Sequence, residues 1–311
     1  MLPFRPGKGF FLHALSTLLP RTLVAATVLW AGLLGVAAFG SPSSPQRIIS
    51  MSPSITEALF SLGVGQRVVG VTDYCQWPPE ACTRTHVGGL LNPNLETWIA
   101  LRPDLIILQE TSERLLKHAR NLSIPTLVVE MSRIETIFGA FRTICRRLGC
   151  EPAAESLIQT MQGEIQTISN RLRGVRPKKV LLLLGDSSDP ARDMYAVGPA
   201  TFLGELIELA GGTNLLVDPV AQYPRLSKEF VLHAAPEVII EAGPKANYTP
   251  EQAAERRAQW QRFASIPAVQ TGQIHFIGSD YILIPGPRLT LTLKAFARAI
   301  HPEVFQEVTA P

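Results

Sequence analysis

Pro103-Asp104-Leu105-Ile106-Ile107 and Pro236-Glu237-Val238-Ile239-Ile240 are two copies of one pattern, separated by 133 positions. A glutamate precedes each copy by seven residues, Glu96 in the first and Glu229 in the second. Each copy therefore predicts an acidic helix start, a helix that ends before proline, and a short apolar strand. The repetition indicates that the chain folds as two related α/β lobes.

A second pair of glutamates supports the repeat. Glu57 stands six residues before Gly63, as Glu205 stands six before Gly211, but this pair lies 148 positions apart. The first lobe therefore carries about fifteen extra residues, and they fall in the interval that holds residues 73–82 (DYCQWPPEAC). We expect this aromatic, proline-containing loop to contact a ligand in a cleft between the lobes.

The composition is that of a globular protein with two domains. Of 311 residues, 46% are hydrophobic and 18% are charged, which is enough to bury two modest cores. The net charge of +3 comes from Arg5, Lys8 and Arg21, because residues 47–311 contain 26 basic and 26 acidic side chains. A neutral body argues against nucleic acid as a partner.

The N-terminus has the features of an export signal. Residues 23–39 form an uncharged run of 17 residues behind Arg21, and a Ser/Pro-rich segment follows. Small residues favour cleavage before Ser41, with a retained membrane anchor as the alternative. We therefore predict that residues 1–46 are a signal peptide or an anchor, and that the protein is periplasmic or otherwise extracytoplasmic.

Four cysteines occur in two local pairs in this exported chain. Cys75 and Cys82 flank a Pro-Pro turn, and we predict a disulfide between them. Cys145 and Cys150 straddle a helix end at Gly149, so the same bond is open to them once the helix breaks there. Free buried thiols are the alternative for both pairs.

Helical periodicity places one long amphipathic helix between the two copies of the repeat. Apolar residues recur at helical spacing from residue 155 to residue 172. We therefore predict an N-terminal α/β lobe over residues 47–150, a connecting helix within 151–176 and a C-terminal α/β lobe over 177–308. A stiff helix between the lobes allows less hinge motion than a pair of loops.

Serines at the start of the first helix are candidate ligand contacts. A capping box is predicted at Ser54-Ile55-Thr56-Glu57, directly after a loop that contains Ser52. Backbone N–H groups there, with the hydroxyls of Ser52 and Ser54, are suited to an anionic or carbonyl group of a ligand. Helix capping alone explains these serines equally well.

No catalytic or metal-binding motif occurs in the sequence. G-x-S-x-G, H-E-x-x-H, the phosphate-binding P-loop and the dinucleotide glycine fingerprint are all missing. We therefore predict a protein that is not an enzyme and has neither a resident cofactor nor a site for a bare metal ion. Haem needs only one axial ligand, for which the sequence offers His86, Tyr74, Tyr195 and Tyr223.

Aromatic side chains fall in loop-like segments at strand ends, where an open α/β lobe presents residues to its cleft. Flat side chains suit a large flat ligand, and turn packing is the alternative for each. The candidates are Tyr74, Trp77, Tyr195, Tyr223 and Tyr281. Arg288, in a Pro-Gly-Pro-Arg segment, is a candidate either to pair with an anionic ligand group or to cap the preceding loop.

Several segments resemble one family. Residues 47–57 (RIISMSPSITE), 69–75 (VGVTDYC), 92–96 (NPNLE) and 101–107 (LRPDLII) are similar to the periplasmic binding proteins for cobalamin and iron chelates, and the match covers nearly all of residues 47–305. The resemblance implies two Rossmann-like lobes joined by a single long α-helix with a ligand cleft between them. It also implies a monomer that delivers a small molecule to the permease dimer of an inner-membrane ABC importer.

Within the family, residues 74–81 (YCQWPPEA) look most like the cobalamin binders, in which the equivalent tyrosine lines the pocket. Leu90 stands where a cobalamin binder has a pocket tryptophan. Glu96 and Glu229 match the surface glutamates that dock on permease arginines, although an acid in the first turn also stabilises a helix. The resemblance implies cobalamin capture, with an iron siderophore or haem as the alternative ligand. A membrane-anchored signalling or scaffold domain is the alternative from another class.

Overall fold

The structure is a computed structural model that describes residues 44–110, 112–185, 194–244 and 249–305. The predicted export signal, with its apolar run at residues 23–39 and its cleavage site before Ser41, lies outside the described residues. Within the described ranges, no helix combines the length and the apolar character that crossing a membrane requires.

The first lobe is built on a five-stranded parallel sheet with strand order β3-β2-β1-β4-β5. Its central strands are continuous apolar runs, as expected for a parallel sheet that is covered on both faces; residues 105–108 are fully buried. The strands are β1 (Ile48–Ser50), β2 (Val68–Val71), β3 (Thr85–His86), β4 (Leu105–Gln109) and β5 (Thr126–Val129).

Four helices cover the first sheet: α1 (Pro53–Ser61), α2 (Leu95–Leu101), α3 (Glu113–Asn121) and α4 (Ile134–Leu148). Helix α4 ends at Gly149, whose left-handed φ of 72° is a conformation that glycine adopts without steric cost. Short 3₁₀ turns occur at Gly65–Arg67 and Pro79–Thr83.

A single helix, α5 (Glu151–Arg171), connects the lobes. Its 21 residues begin at the first position of the predicted segment 151–176, four residues before the apolar periodicity, because Pro152 lies in the first turn, where proline is tolerated. The buried face of α5 is formed by Ala154, Ile158, Met161 and Ile168. These side chains belong to an apolar cluster that runs through both lobes, so α5 is part of the common core.

The second lobe contains a four-stranded parallel sheet with order β11-β10-β6-β8 and a small antiparallel ribbon of β7 and β9. Its strands are β6 (Lys178–Leu184), β7 (Met194–Tyr195), β8 (Gly212–Asn214), β9 (Arg225–Leu226), β10 (Val238–Gly243) and β11 (Ile274–Gly278). Its helices are α6 (Phe202–Leu209), α7 (Lys228–Ala234), α8 (Pro250–Trp260), α9 (Pro267–Gln270), α10 (Leu289–Ile300) and α11 (Pro302–Phe305), with a 3₁₀ turn at Gln261–Phe263.

The repeat read from the sequence is a structural repeat. Helix α2 leads into β4 and helix α7 leads into β10, each as the opening pattern predicts. Both helices stop on a left-handed residue, Arg102 with φ 45° and Ala235 with φ 48°, directly before the prolines that cannot continue them. The prediction of two α/β lobes joined by one long helix is confirmed.

The predicted disulfide between Cys75 and Cys82 is wrong. Both thiols are free, and the buried Cys75 Sγ lies 3.1 Å from the hydroxyl oxygens of Thr56 and Thr72. The exposed Cys82 Sγ instead lies 3.3 Å from the backbone oxygen of Gln76. The disulfide joins Cys145 to Cys150, because the break of α4 at Gly149 brings their Cα atoms to 4.5 Å.

The predicted capping box at Ser54 to Glu57 is also wrong. The helix begins two residues earlier, because Pro53 occupies its first turn and Ser52 is the N-cap. The Ser52 hydroxyl oxygen accepts the Ile55 N–H at 3.3 Å. The Glu57 carboxylate is therefore not engaged at the N-terminus of its own helix.

Candidate ligand cleft

A cavity of about 170 Å³ lies between the two lobes. Side chains that follow parallel strands gather at the carboxyl edge of a sheet, and β4 and β5 place the first-lobe wall there. This wall consists of Gln109, Glu110, Met131 and Ser132. The second-lobe wall consists of Thr201, Phe202, Gln222, Tyr223, Leu283 and Pro285.

One buried ion pair joins the lobes beside this cavity. Glu57, which is 2% exposed, accepts two hydrogen bonds from the Arg288 guanidinium, at 2.9 and 2.6 Å. Burial raises the pKa of Glu57, and the hydrogen bonds and charge of Arg288 oppose that shift. The two residues are 231 positions apart, so this pair fixes the first helix of one lobe against the last long helix of the other.

Arg288 is also surrounded on its remaining sides. Its Nη1 donates to Asp280 Oδ2 at 2.6 Å. The guanidinium carbon lies 4.9 Å from the ring centroid of Trp77 and 5.5 Å from that of Tyr281. Through these cation–π contacts, Arg288 holds the aromatic loop of the first lobe, which contains Trp77, against Tyr281 of the second lobe.

A second ion pair, between Glu205 and Arg133, also joins the two lobes. The Glu205 carboxylate pairs with Arg133 and accepts the Ile134 N–H at 2.7 Å. The Phe202 N–H donates to the Ser132 carbonyl oxygen at 2.8 Å, which adds a main-chain link between the lobes. Since Ser132 and Phe202 both line the cavity, this contact closes one of its sides.

The two interlobe ion pairs are equivalent under the repeat. Glu57 and Glu205 each belong to the first long helix of their lobe, α1 and α6. Arg133 and Arg288 are the N-cap residues of α4 and α10. Each lobe therefore extends a glutamate from its first helix to an arginine at the start of a helix in the other lobe.

The first-lobe wall carries one carboxylate, Glu110, and the exposed Glu130 lies close to it. Desolvation, and then the nearby charge of Glu130, raise the pKa of Glu110. Glu130 accepts a hydrogen bond from the hydroxyl of Ser132 at 2.8 Å. Arg133 and Arg288, which adjoin the cavity-lining segments, are both paired with glutamates. The charge available to a ligand at this wall is therefore negative.

Of the predicted tyrosines, Tyr223 lines the interlobe cavity, whereas Tyr74 and Tyr195 do not. Tyr223 lines the cavity, and desolvation raises the pKa of its phenol. Tyr195 is exposed on the ribbon of β7 and β9, opposite Arg225. Tyr74 is 68% exposed, and its ring packs on Gly89, where an added Cβ would lie 3.0 Å from Tyr74 Cε2. The neighbouring Leu90 is exposed.

The predicted serines have structural partners. Ser52 uses its hydroxyl as the α1 N-cap, and Ser54 is 3% exposed. Ser54 lies close to Gly286 of the second lobe, since a Cβ atom added at Gly286 would be 3.7 Å from the Ser54 Cα. His86, a candidate axial ligand, lies 3.3 Å from the Asp73 carboxylate on the exposed side of β3. Among the described residues, no group of three or more His, Cys, Asp or Glu side chains is placed to hold a metal ion.

The predicted docking residues Glu96 and Glu229 are exposed, each in the first turn of a seven-residue helix. Hydrogen bonds from its own backbone N–H and from the Ser227 hydroxyl lower the pKa of Glu229. Glu229 therefore stabilises the start of α7 while its side chain remains accessible.

Most cavity residues could not be predicted from the sequence. Gln109, Ser132 and Gln222 belong to no motif, and only their positions beyond strand ends connect them with a cleft. Glu57 and Glu205 were recognised as markers of the repeat, but not as partners of arginines in the opposite lobe. A search for acids repeated between the lobes together with unmatched arginines could have suggested these pairs.

Comparisons with known proteins agree with this architecture. The sequence model of the family described as periplasmic binding protein matches residues 48–281. An uncharacterised ABC transporter substrate-binding lipoprotein of Bacillus subtilis is 27% identical over 270 residues, which cover 85% of this chain and 82% of that protein. A vitamin B12-binding protein of Pectobacterium carotovorum is 27% identical over 252 residues, covering 80% of this chain and 86% of that protein.

Among solved structures, a possible iron-binding, periplasmic solute-binding protein of Staphylococcus epidermidis superposes with a TM-score of 0.71 at 25% identity. The superposition covers 83% of this chain and 100% of the other. The similarity spans both lobes and the helix between them.

Proposed function

The chain belongs to the periplasmic binding protein family, and we propose that it is an exported substrate-binding protein that captures cobalamin or a related corrinoid. Members of this family are non-enzymatic components of ABC transporters that act outside the cytoplasm with a permease and ATPase complex. In this proposal, the N-terminal segment directs export and either is cleaved or remains as an anchor. The protein then works as a monomer in the periplasm or its equivalent.

The interlobe cavity carries the proposal. Its walls combine amides, hydroxyls and a tyrosine ring with the carboxylate of Glu110, and the charge of Glu130 lies close to that carboxylate. The rim of a corrin bears neutral amide side chains, whose N–H groups are hydrogen-bond donors to such acceptors. Haem propionates and acidic siderophores would instead meet like charges. The vitamin B12-binding relative supports the same choice.

The cavity is too small to hold a corrinoid without a change in the cleft. About 170 Å³ is less than the roughly 300–1,000 Å³ of typical ligand pockets, so a corrinoid needs more room than the described cleft offers. The exposed rings of Tyr74, Trp77 and Tyr195 supply additional flat surface, and separation of the lobes supplies volume. In the proposal, ligand entry therefore rearranges the contacts of Arg288 and Glu205.

Delivery requires a membrane partner. We propose that Glu96 and Glu229, one in each lobe, dock on cationic side chains of the two permease subunits of an ABC importer. Both carboxylates are exposed, and the repeat places them in equivalent positions. Two equivalent acids match the two halves of a symmetric partner.

One observation favours haem or a ferric chelate as a second candidate. The phenol of Tyr223 lines the cavity, and a tyrosine oxygen is a known axial ligand of haem iron. The structural similarity to a possible iron-binding protein is consistent with this alternative.

Titration separates the candidates. The full chain, purified after expression with its own N-terminal segment, is expected to bind cyanocobalamin at one saturable site. Tyr223→Ala, Tyr74→Ala and Trp77→Ala are each expected to weaken binding by about 1–3 kcal/mol, by analogy with the stacking of bases on aromatic side chains. Phe230→Ala, an exposed aromatic on α7, is the matched control and should leave affinity unchanged.

The same protein should be titrated with haemin and with a ferric siderophore. Binding of either, together with no binding of cyanocobalamin, would move the function to the second candidate. An absorbance spectrum of the protein isolated from its source organism provides an independent reading, because corrins and haem absorb at different wavelengths. Failure of all three ligands would leave a signalling or scaffold domain as the better assignment.

A further inference from the structure

The two helices that carry Glu96 and Glu229 have the same pattern of exposure. Two positions after each glutamate, Trp98 and Val231 are buried. Three positions after each glutamate, a large apolar side chain is exposed, Ile99 to 58% and Leu232 to 42%. The repeat therefore preserves an acid and an exposed aliphatic residue together in both lobes.

The backbone geometry of the two helices is also the same. The Asn94 side chain accepts the Thr97 N–H and the Ser227 hydroxyl accepts the Phe230 N–H, both at 3.1 Å. Each helix contains seven residues and ends on a left-handed residue. Residues three apart in a helix lie on one face, so each glutamate and its aliphatic neighbour form a single small surface.

The topology places both glutamates on the side of the cleft. A helix that leads into a parallel strand begins at the carboxyl edge of the sheet, and α2 and α7 lead into β4 and β10 in this way. The cavity lies at the same edge, beyond β4 and β5. The two glutamates therefore lie near the opening between the lobes, one for each lobe, while Ile99, one turn further along α2, borders a groove that Leu122 and Ile124 also line.

Folding does not explain the exposed aliphatic residues. A single exposed leucine is normal on a protein surface. Here, however, the buried anchor of each helix is Trp98 or Val231, and the aliphatic side chain at the next position is exposed in both copies. Protein interfaces combine an apolar core with a polar rim, and an exposed aliphatic side chain beside an acid fits such an arrangement.

We infer that Ile99 and Leu232 are the apolar half of a docking surface whose charged half is Glu96 and Glu229. The inference rests on the proposed function and deepens it. The partner is a membrane permease made of two equivalent halves, each presenting a cationic side chain next to an aliphatic patch. The aliphatic contacts supply burial that an exposed ion pair alone does not, because such pairs contribute little by themselves.

Uptake by whole cells tests this surface. Cells of the source organism that lack the chromosomal copy are supplied with the full-length gene, and uptake of radiolabelled cyanocobalamin is measured. Ile99→Ser with Leu232→Ser is expected to reduce uptake at least about fivefold, the effect of losing an interface residue worth more than 1 kcal/mol. Glu96→Lys with Glu229→Lys is the comparison and should abolish uptake.

The matched control is Val128→Ser with Leu291→Ser. These residues are 40% exposed, one in each lobe, and lie in β5 and α10 rather than in α2 or α7. The control should transport normally. Cyanocobalamin affinity, measured on each purified variant, should equal that of the wild type, which shows that reduced uptake is a docking defect.

The two proposals fail in different ways. Wild-type protein that neither binds cyanocobalamin nor restores its uptake overturns the proposed function. Wild-type protein that does both, while the Ile99 and Leu232 double variant transports normally, overturns the docking inference alone. An equal loss of uptake in the Val128 and Leu291 control would also overturn it, since the effect would then not be specific to these helices.

Discussion

Gly149 decides which cysteines meet. Its φ of 72° ends α4 and reverses the chain, so that Cys150 lies next to Cys145 at the last turn of the helix. The chain also brings Cys82 Sγ to 3.9 Å from the Cys75 carbonyl oxygen, but the Cys75 thiol is buried between the hydroxyls of Thr56 and Thr72 and stays free. The left-handed conformation of Gly149 therefore allows the disulfide between Cys145 and Cys150, whereas the Pro-Pro turn between Cys75 and Cys82 does not lead to one.

Alkylation followed by mass spectrometry should detect this pairing. In the exported native protein, Cys82 is expected to react, Cys75 only after unfolding, and Cys145 and Cys150 only after reduction. Replacing both bonded cysteines by serine should lower the free energy of unfolding by about 2 kcal/mol, from the entropy of so short a loop. A peptide that links Cys75 to Cys82 would contradict the assignment.

Glu57 shows how much of this site lies beyond sequence patterns. Its place in a serine-led run favoured a capping box, but the side chain points to Arg288, 231 positions away. No periodicity or motif predicts a contact at that separation. The pair is recognisable only once the two lobes are assembled.

Individual elements were easier to predict because their signals are local. Helix α2 starts with an acid in its first turn and ends before Pro103, as the repeat predicts, and Asn94 caps its start. Helix α5 starts at Glu151, the first residue of the predicted connecting segment, although the apolar periodicity begins only at residue 155, because a proline in the first turn gives no apolar periodicity.

The two interlobe ion pairs should differ in their contribution to stability. Glu57→Gln leaves a buried arginine only partly neutralised, and breaking a buried pair lowers the free energy of unfolding by about 3–5 kcal/mol. Glu205→Gln acts on a more exposed pair, because Arg133 is nearly half exposed, and should lower it by about 1 kcal/mol. Urea unfolding at neutral pH measures both values.

Glu155→Gln is the control for these substitutions. It removes an exposed ion pair with Arg142, between α4 and α5, and should have no measurable effect. Equal losses of stability for Glu57→Gln and Glu205→Gln would show that burial does not distinguish the two pairs. The interlobe contacts would then be interchangeable, contrary to the geometry.

At the scale of the whole molecule, the lobes bring together groups that are separate in the chain. The wall formed by Glu110 and Ser132 meets Gln222 and Tyr223 only because α5 and the ion pairs set the lobes side by side. The sequence predicted two lobes and a cleft between them. It did not predict the charge of the cleft, since residues 47–311 contain 26 basic and 26 acidic side chains and their pairing is tertiary.

The charge of the cleft leads to a prediction about ligand choice. Cyanocobalamin should bind more tightly than its monocarboxylic acid derivative, in which one amide is replaced by a carboxylate. Repulsion from Glu110 and Glu130 at an effective dielectric near 20 amounts to about 1–3 kcal/mol, or at least about a fivefold difference in affinity. Glu110→Gln with Glu130→Gln should remove most of this discrimination. Competition titrations against both ligands give the ratio directly.

The pH dependence of that ratio is a second measurement on the same variants. The pKa of Glu110 is raised, so its carboxylate becomes neutral on acidification earlier than an ordinary glutamate does. Discrimination by the wild type should therefore decrease as the pH falls, and that of the double Gln variant should change little. Glu113→Gln with Glu135→Gln removes the same charge from two exposed helix starts and should retain the wild-type ratio. Equal wild-type affinity for the amide and the acid at neutral pH would contradict the role of the two carboxylates. The preference for a neutral rim would then have to come from shape alone.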